Sequence, residues 1–401
     1  MQSSSDRPIA IVGGGTIGLV AALALSERHE VVCIAPESPI PDGRTTALLA
    51  DAVDDLNCLG VWDACKPHAA PLRVMRLIDG TRRLLRARPI DFRAAEIGME
   101  AFGYNVPNGI MNDALRAALK ARDVRSVAQP VARLSGSALT LADGSTVEAS
   151  LVVAADGRHS LVREAAGIGV RSWRYPQVAL VMTFAHEFPH GGVSTEVHTE
   201  TGPFTQVPLP AIADTPHRSS LVRVVTPQEA ERLRDAPAET HARDIEARFS
   251  YVWGKVTPES DVAALPLEGM VAHAAGRDRT ALVGEALHVF PPIGAQGANL
   301  GFRDVRDLIA AAQQGVEGAA DRYSLKRMSD VALRTGAVDV LNRSLLTDLL
   351  PVQFGRAVAI EALLSSATLR RAAMKFGLAP RSAGRTVTRR GTGPRAAHPS
   401  S

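Results

Sequence analysis

Apolar runs typical of buried strands alternate with helix-forming stretches in the first part of the chain. The run at residues 8–12 precedes an Ala/Leu-rich stretch at 19–25 with high helix propensity. A second strand is predicted at 29–34, and residues 151–155 give a third buried-strand signal. This alternation predicts an α/β fold of the Rossmann type.

The pattern changes after residue 171. Proline-punctuated strands are predicted from there to about 271, for example at 178–184, 205–210 and 219–225. A strand at 280–283 and a helix at 299–312 return to the first pattern, and helices follow after about 320. We expect a mainly β domain inserted into the α/β domain, followed by a C-terminal helical region.

A glycine-rich loop at residues 13–18 (GGGTIG) lies between the first predicted strand and helix. In that context Gly13 allows a tight turn, Gly15 lets the backbone approach a pyrophosphate, and Gly18 lets the helix pack closely on the strand. The free N–H groups and dipole of the helix N-terminus favour phosphate. The loop therefore predicts a dinucleotide site.

Two further glycine-centred segments follow in the chain. They are residues 155–160 (ADGRHS) and residues 284–299 (GEALHVFPPIGAQGAN). One loop of this kind indicates a dinucleotide, whereas the three in this order and spacing indicate FAD. The acidic residue expected to hold the ribose has one late candidate, Glu37, which either reaches the ribose from its loop or is simply solvated.

Composition and charge are consistent with a flavoenzyme. A chain of 401 residues with 46% hydrophobic content can build two or three domains, and a net charge of +3 does not indicate a nucleic-acid partner. Cys33, Cys58 and Cys65 show no metal spacing, so we expect buried thiols in a reducing compartment. The sequence shows neither a signal peptide nor a membrane span, so we expect a cytoplasmic protein.

The glycine segments resemble the fingerprints of the FAD-dependent aromatic hydroxylases, which are single-component flavoprotein monooxygenases. The resemblance covers about residues 8–380 and is strongest to the ubiquinone-biosynthesis hydroxylases of the alphaproteobacterial type. It is carried by residues 42–48 (DGRTTAL), 290–297 (FPPIGAQG) and 337–343 (AVDVLNR).

The resemblance implies an α/β fold: a Rossmann-like FAD-binding domain, an inserted mainly β substrate domain and a C-terminal helical region. We expect the FAD-binding domain to be assembled from three stretches, residues 1–74, 101–170 and 272–320. The remaining parts are substrate-domain strands at 75–100, the β-rich substrate domain at 171–271, helices at 321–380 and a disordered basic tail at 381–401.

The resemblance also implies roles for individual residues. Arg44 is expected to contact the FAD phosphate and ribose, Asn112 to lie near the cofactor at the head of its helix, and Glu285 to replace the Asp that most members use for the ribityl or pyrophosphate region. Asp156 and Gly157 would shape the flavin and reductant sites. The third loop would contribute Gly297, Ala298 and Asn299.

The implied activity is hydroxylation of the aromatic ring of a polyprenylated phenol in ubiquinone biosynthesis, through a flavin hydroperoxide. O₂ would be the cosubstrate, and NADH, NADPH or a protein would donate electrons. A hydroxylase of soluble aromatic or polyketide-like substrates and a non-catalytic flavin-binding subunit remain alternatives. A basic tail and a lipid-soluble substrate suggest peripheral contact with a membrane or with other ubiquinone-biosynthesis enzymes, although a solvated tail explains the same sequence.

No catalytic side chain follows from the sequence. His288 is expected to be a packed, hydrogen-bonded loop residue, and the spacing of His186, His190 and His198 suits no metal site. Ser160 lacks the turn of a serine hydrolase nucleophile. The aromatic residues of the β block either line a pocket or pack in the core, with core packing favoured; they are Trp173, Tyr175 and Phe204.

Overall fold

The computed structural model describes residues 7–36, 44–81, 88–291, 296–346 and 361–378. Glu37, most of the arginine-rich segment at 82–88, residues 292–295 of the third loop and the tail at 381–401 lie outside these ranges.

The described residues form runs of strands separated by single helices or pairs of helices. The strands are β1 (Ile9–Val12), β2 (Val31–Ile34), β3 (Thr45–Leu49), β4 (Ala70–Pro71), β5 (Val74–Asp79), β6 (Ile90–Arg93), β7 (Gly103–Pro107), β8 (Arg125–Val127), β9 (Val131–Ser135), β10 (Ala138–Leu141), β11 (Thr146–Glu148), β12 (Leu151–Ala154), β13 (Val170–His186), β14 (Val193–Thr199), β15 (Gly202–Leu209), β16 (Arg218–Val225), β17 (Val256–Pro258), β18 (Ala263–Ala272), β19 (Gly276–Arg277), β20 (Thr280–Leu282) and β21 (His288–Val289). The helices are α1 (Thr16–Leu25), α2 (Ala50–Cys58), α3 (Trp62–Cys65), α4 (Asn108–Ala121), α5 (Leu161–Ala165), α6 (Pro227–Arg234), α7 (Ala238–Arg248), α8 (Gln296–Ala312), α9 (Ala319–Leu346) and α10 (Ala367–Leu378).

The first sheet has the mostly parallel arrangement of an α/β domain. Its described strands run in the order β19, β20, β12, β1, β2 and β8, and only the β19–β20 pair is antiparallel. Every residue of β1, β2 and β12 is buried, as expected of strands covered on both faces. The predicted fold class is thereby confirmed.

A second, mainly antiparallel sheet lies on the other side of a shared cavity. Its described strands follow the order β21, β18, β13, β16, β15, β14, β5 and β6, with β17 paired to β13, and only β14 and β5 run parallel. The sheet takes β5 and β6 from before the 171–271 block and β21 from after it. Two smaller sheets, β3–β7–β4 and β9–β10–β11, complete the described strands.

The 171–271 block contains more than strands. Helices α6 and α7 interrupt it, and α6 begins with a Thr226 side chain that accepts a hydrogen bond from the Glu229 N–H, followed by Pro227. The predicted strand at 178–184 is part of the longer β13, whose pairing with β18 shifts register between Arg174 and Val178. This β-bulge lets one strand continue past Pro176.

Cys33 and Cys65 are buried, but Cys58 is exposed. The expectation of three buried thiols was therefore wrong for Cys58, which is the last residue of α2.

None of the described helices combines the length and the apolar character that a membrane crossing needs.

Candidate active site

A cavity of about 750 Å³ lies between the first sheet and the second. On one side it is lined by residues at the carboxyl ends of parallel strands, including Gly15 after β1, Ala155 after β12 and Val283 after β20. On the other side it is lined by strands of the second sheet, from β5 to β16. Ligands in open α/β sheets bind at this edge, and the volume suits a cofactor with a substrate beside it.

The glycines of the first loop have two roles, because some allow close packing and one leaves open space. A Cβ on Gly18 would lie 2.1 Å from the Gly13 carbonyl oxygen, and one on Gly13 would lie 2.2 Å from the Ala155 carbonyl oxygen. Gly13 also has a φ of +124°, which favours glycine. Gly15 has nothing within 4 Å of its Cβ position and lines the cavity at the start of α1. Gly13 and Gly18 therefore make the turn compact, and Gly15 leaves room for a ligand.

The second loop is anchored at a short helix. Gly157 lines the cavity at a φ of +85°, and Asp156 accepts a hydrogen bond from Val162 N–H at 3.2 Å through Oδ2. The other carboxylate oxygen of Asp156 is buried without a partner. The Ser160 hydroxyl accepts from Arg163 N–H at 2.9 Å, so this serine caps α5. Asp156 and Ser160 therefore fix the start of α5 next to Gly157.

Buried Arg163 connects the second loop to the third. Its guanidinium donates to the Arg158 carbonyl at 3.0 Å and to the Ala286 carbonyl at 3.1 Å. Glu285 lines the cavity beside this contact, with its side chain about half exposed and 3.5 Å from Arg158 Nε. The two loops therefore hold each other in place at the cavity wall.

The third loop leads into α8, whose first turn faces the cavity. Gly297 and Ala298 line it, and the Cβ position of Gly297 is open. Asn299 does not line the cavity. Its Oδ1 accepts from Leu49 N–H at 2.8 Å and its Nδ2 donates to the Ala47 carbonyl at 2.9 Å, which ties α8 to β3.

Arg44 lines the cavity just before β3, and its carbonyl accepts a hydrogen bond from Asn108 N–H at 2.9 Å. Asn112 is away from the cavity, and its Oδ1 accepts from the Thr16 hydroxyl at 2.7 Å. Because α4 begins at Asn108, the expectation that Asn112 heads its helix was wrong. Asn112 orients Thr16, which does line the cavity.

Sequence reasoning missed a buried charged network behind the third loop. Asp304 Oδ2 accepts from Gly284 N–H at 2.8 Å and lies 2.9 Å from His288 Nε2, while Oδ1 accepts from Arg327 Nε at 2.6 Å. All three side chains are at most 1% exposed. Burial opposes the charge of Arg327, yet the facing carboxylate of Asp304 raises the pKa of the guanidinium. No spacing in the sequence pointed to this cluster, because α8 and α9 bring its members together.

His288 is both packed and adjacent to the cavity. Its Nε2 faces Asp304, and its Nδ1 is buried without a partner although the residue lines the cavity. Because a carboxylate accepts hydrogen bonds, the His288 Nε2 position carries a proton and donates a hydrogen bond to Asp304.

The second sheet gives the cavity a mainly apolar wall with a few polar groups. On β5, β6 and β14 to β16, the apolar side chains are Met75, Leu77, Phe92, Val207 and Val222, and the polar ones are Arg76, Ser194, Glu196, Thr205 and Ser220. Phe204 instead packs in a core cluster with Phe249 and Trp253, and Trp173 lines a separate cavity of about 400 Å³ between β13 and α9. Trp173 and Phe204 therefore do not line the main cavity.

The histidines of the second sheet form no metal centre. Among the described residues no cluster of His, Cys, Asp or Glu could hold a metal ion. The His186 ring lies 5.9 Å from the His190 ring and 6.1 Å from the His217 ring. Burial lowers the pKa of both His186 and His190.

The lining residues fit FAD. A helix N-terminus with an open Gly15 suits a pyrophosphate, and a second helix N-terminus at Gly297 faces the same space. His288 lines the same space, and its Nδ1 has no hydrogen-bond partner among the described residues. A molecule with phosphates and a polar ring edge would suit the two helix N-termini and this imidazole.

Comparison with known proteins points to the same cofactor. Residues 6–338 match a family model described as FAD binding domain. The ubiquinone hydroxylase UbiL of Rhodospirillum rubrum is 33% identical over 94% of this chain and 91% of its own length. The 3-demethoxyubiquinol 3-hydroxylase of Escherichia coli is 30% identical over 94% of this chain and 100% of its own.

Solved structures show the same fold. The p-nitrophenol 4-monooxygenase PnpA of Pseudomonas putida superposes with a TM-score of 0.73 at 17% identity, covering 92% of this chain and 96% of that one. The family match spans most of the chain, and the geometry supplies a cavity that fits the cofactor. The chain therefore belongs to the FAD-dependent aromatic hydroxylases, the monooxygenases built on this FAD-binding domain.

Proposed function

We propose that this protein hydroxylates the aromatic ring of a polyprenylated phenol in ubiquinone biosynthesis. The observation that carries the proposal is one continuous cavity with three glycine loops on one wall and a mainly apolar sheet face on the other. The similarity to ubiquinone-pathway hydroxylases along nearly the whole chain supports the substrate class.

The reaction balances as a monooxygenation. One atom of O₂ enters a ring C–H position, the other leaves as water, and NADH, NADPH or a protein donor supplies two electrons. FAD, when bound, supplies the activation of O₂ that amino-acid side chains lack.

We assign the chain's residues to holding and orienting the cofactor. Backbone N–H groups at Gly15 and Gly297 would face its anionic parts, and Arg44 would add positive charge. Gly157 and Glu285 would contact it from the second and third loops. Gly13, Gly18, Asn112, Asp156 and Asn299 would set the loop geometry.

The sheet wall would orient the substrate and keep water away. Leu77, Phe92 and Val222 give the ring an apolar surface, and exclusion of water protects the activated oxygen from wasteful reduction.

The test is mass spectrometry of quinone intermediates in a strain that lacks the gene. The account predicts accumulation of a prenylated ring that lacks one hydroxyl, and restoration of ubiquinone by the wild-type gene. Normal ubiquinone in the deletion strain, with a missing soluble aromatic product, would favour a soluble substrate instead.

We also propose that the division into FAD-binding stretches (1–74, 101–170 and 272–320) and substrate stretches (75–100 and 171–271) reflects these two walls. The boundaries would be tested by limited proteolysis with and without FAD. Cleavage inside a predicted stretch before its ends are cut would argue against them.

Peripheral membrane contact is a separate part of the proposal. A polyprenyl substrate resides in the bilayer, and the tail carries five arginines without an acidic residue among them: Arg381, Arg385, Arg389, Arg390 and Arg395. The apolar stretch at 345–364, largely outside the described residues, would contribute to the contact. Deleting residues 381–401 should lower salt-sensitive binding to anionic liposomes or to partner enzymes while FAD content stays intact. Unchanged binding in both assays would dispose of the idea.

A further inference from the structure

The sheet wall of the cavity carries one carboxylate among its lining residues, that of Glu196 on β14. In register, Glu196 lies opposite Leu77 on β5 and Thr205 on β15. Thr205 in turn lies opposite Val222 on β16, and all of these residues line the cavity. The residues opposite Glu196 on the two neighbouring strands are therefore apolar or hydroxylic.

Two side chains hold this carboxylate in place. The His198 Nε2 lies 2.8 Å from Glu196 Oε1, and the Thr205 hydroxyl donates to Oε2 at 3.3 Å. The His198 side chain is 8% exposed and that of Glu196 is 22% exposed. Glu196 is thus fixed on its protein side and still accessible from the cavity.

The other charged groups nearby, including Arg76 on the same cavity wall, have partners of their own. Arg76 on β5 pairs with Asp91 through contacts of 2.7 Å and 3.0 Å. Asp79, opposite His198 in register, accepts hydrogen bonds from Thr81. The other carboxylate that lines the cavity, Glu285, belongs to the third loop and faces Arg158.

Strand pairing alone does not call for a carboxylate at this position. A β-branched residue would pair well with Thr205 on a strand. The few polar groups of a mainly apolar pocket usually fix the orientation of a ligand. The partner expected here is a hydrogen-bond donor on a flat apolar molecule.

We propose that Glu196 binds the hydroxyl of the phenol and takes its proton during ring hydroxylation, with His198 and Thr205 as positioning residues. This inference rests on the proposed function. As the O–O bond of activated O₂ breaks and one oxygen, as OH, bonds to the ring carbon, electrons move from the hydroxyl into the ring and its O–H bond becomes acidic. The other oxygen keeps the electron pair of the broken bond. The O–H bond breaks, its electron pair forms a ring C=O, and the proton moves to a Glu196 oxygen.

The newly oxygenated ring carbon loses its proton to the other oxygen, which leaves as water, and this loss restores aromaticity. The ring oxygen then takes a proton back from Glu196. The ring has then lost two electrons to the oxygen donor, and the carboxylate is regenerated. General bases of this kind typically contribute about 10²–10⁴-fold to the rate.

The first test compares two ligands on the holoenzyme by equilibrium dialysis. The probes are 2-prenylphenol and 2-prenylanisole, which differ only in the hydroxyl proton and a methyl group. The wild type should bind the phenol about tenfold or more tightly than the ether, as expected for a hydrogen bond to a charged acceptor. Equal binding of the two probes would overturn the proposal without any variant.

The second test uses Glu196→Gln, which keeps the shape and an acceptor oxygen but cannot take the proton. The preference for the phenol should shrink, and kcat for 2-prenylphenol should fall about 100-fold or more with a smaller change in KM. NADH oxidation should continue in Glu196→Gln, but with O₂ reduced to hydrogen peroxide instead of hydroxylated product. Glu196→Asp should recover part of the yield of hydroxylated product per NADH oxidised. Wild-type kcat and wild-type ligand preference in Glu196→Gln would contradict the proposal.

A matched control is Glu148→Gln, an exposed glutamate of β11 that is paired with Arg7 away from the cavity. It should behave as wild type in both tests. If the wild type holds FAD yet forms no hydroxylated phenol, the proposed function fails, while the ligand comparison still decides whether Glu196 recognises the hydroxyl.

Discussion

Individual glycines set the geometry of the cofactor wall. At Gly18 a side chain would collide with the Gly13 carbonyl, whereas at Gly15 it would enter open space inside the cavity. The two positions therefore separate folding from binding. A substitution at Gly15 should leave the fold intact and remove the ligand.

We predict that Gly15→Val abolishes retention of FAD, because the isopropyl group would occupy the place of the pyrophosphate. The flavin absorbance of the purified protein measures this directly. Gly336→Val is the matched control, since Gly336 also has an open Cβ position but lies on α9 outside this cavity. Full flavin content in Gly15→Val would refute the assignment of the first loop.

Glu285 is the least typical of the predicted cofactor residues. The family resemblance implies an Asp at this position in most members. The half-exposed side chain of Glu285 lies 3.5 Å from Arg158 Nε. If it contacts the cofactor, Glu285→Ala should weaken FAD binding by about 1–3 kcal/mol, and Glu285→Asp should be mild. Titration of the apoprotein with flavin gives both values, and wild-type affinity in Glu285→Ala would remove this residue from the site.

At the scale of elements, α8 organises the cavity from behind. Its Asn299 holds β3, and its Asp304 holds the Gly284 turn and the Arg327 guanidinium of α9. These contacts fix the third loop relative to β3 and α9. Damage to them should lower stability and cofactor binding together.

We predict that Asp304→Asn lowers the free energy of unfolding by about 3–5 kcal/mol, because it leaves buried Arg327 without its main counter-charge. Urea denaturation of the variant and the wild type measures the loss. Asp113→Asn, at an exposed position of α4, should change stability by no more than about 0.5 kcal/mol. A wild-type midpoint for Asp304→Asn would show that the network contributes little.

The histidine cluster of the second sheet should make stability depend on pH. Burial lowers the pKa of His186 and His190 in the folded protein, and His190 also faces His217 and Arg73. Below the unfolded pKa of about 6.5, the unfolded chain binds protons that the folded chain resists. Stability is therefore full above that pH and is lost as the pH falls.

Between about pH 7.5 and pH 5, the free energy of unfolding should fall less in His190→Asn than in the wild type. The variant lacks one histidine whose protonation the folded protein opposes. Denaturant midpoints at the two pH values give the comparison. Exposed His68→Asn is the control and should follow the wild type. If the denaturant midpoint of His190→Asn falls as much as that of the wild type on acidification, this ring does not contribute.

Some elements could be predicted from the sequence more fully than others. The strand, turn and helix at Gly13–Gly18 were predictable because apolar pattern and turn chemistry are local. Helix α6 carried a local signal, Thr226 and Pro227 followed by Glu229, that the reading of the block as strands overlooked. The contacts of Asp304 join residues 20 and 23 positions away through helix packing, and no local pattern reports such contacts.

At the scale of the whole molecule, two sheets face each other across one cavity. The first sheet brings the glycine loops to its edge, and the second supplies an apolar wall in which Glu196 is fixed. The fold class, the family and the FAD cofactor followed from sequence and are confirmed. The individual cofactor contacts remain predictions, and Glu196 emerged only when the register of β14 and β15 was known.

The central claim is that the protein inserts an atom of O₂ into the ring of a prenylated phenol. Incubation of the FAD-loaded protein with NADH or NADPH, a short-chain polyprenyl phenol and ¹⁸O₂, followed by mass spectrometry, tests it most directly. The account predicts one ¹⁸O atom in the hydroxylated product or its quinone, and no label when ¹⁸O is supplied in water instead. An unlabelled product under ¹⁸O₂ would contradict the monooxygenase mechanism.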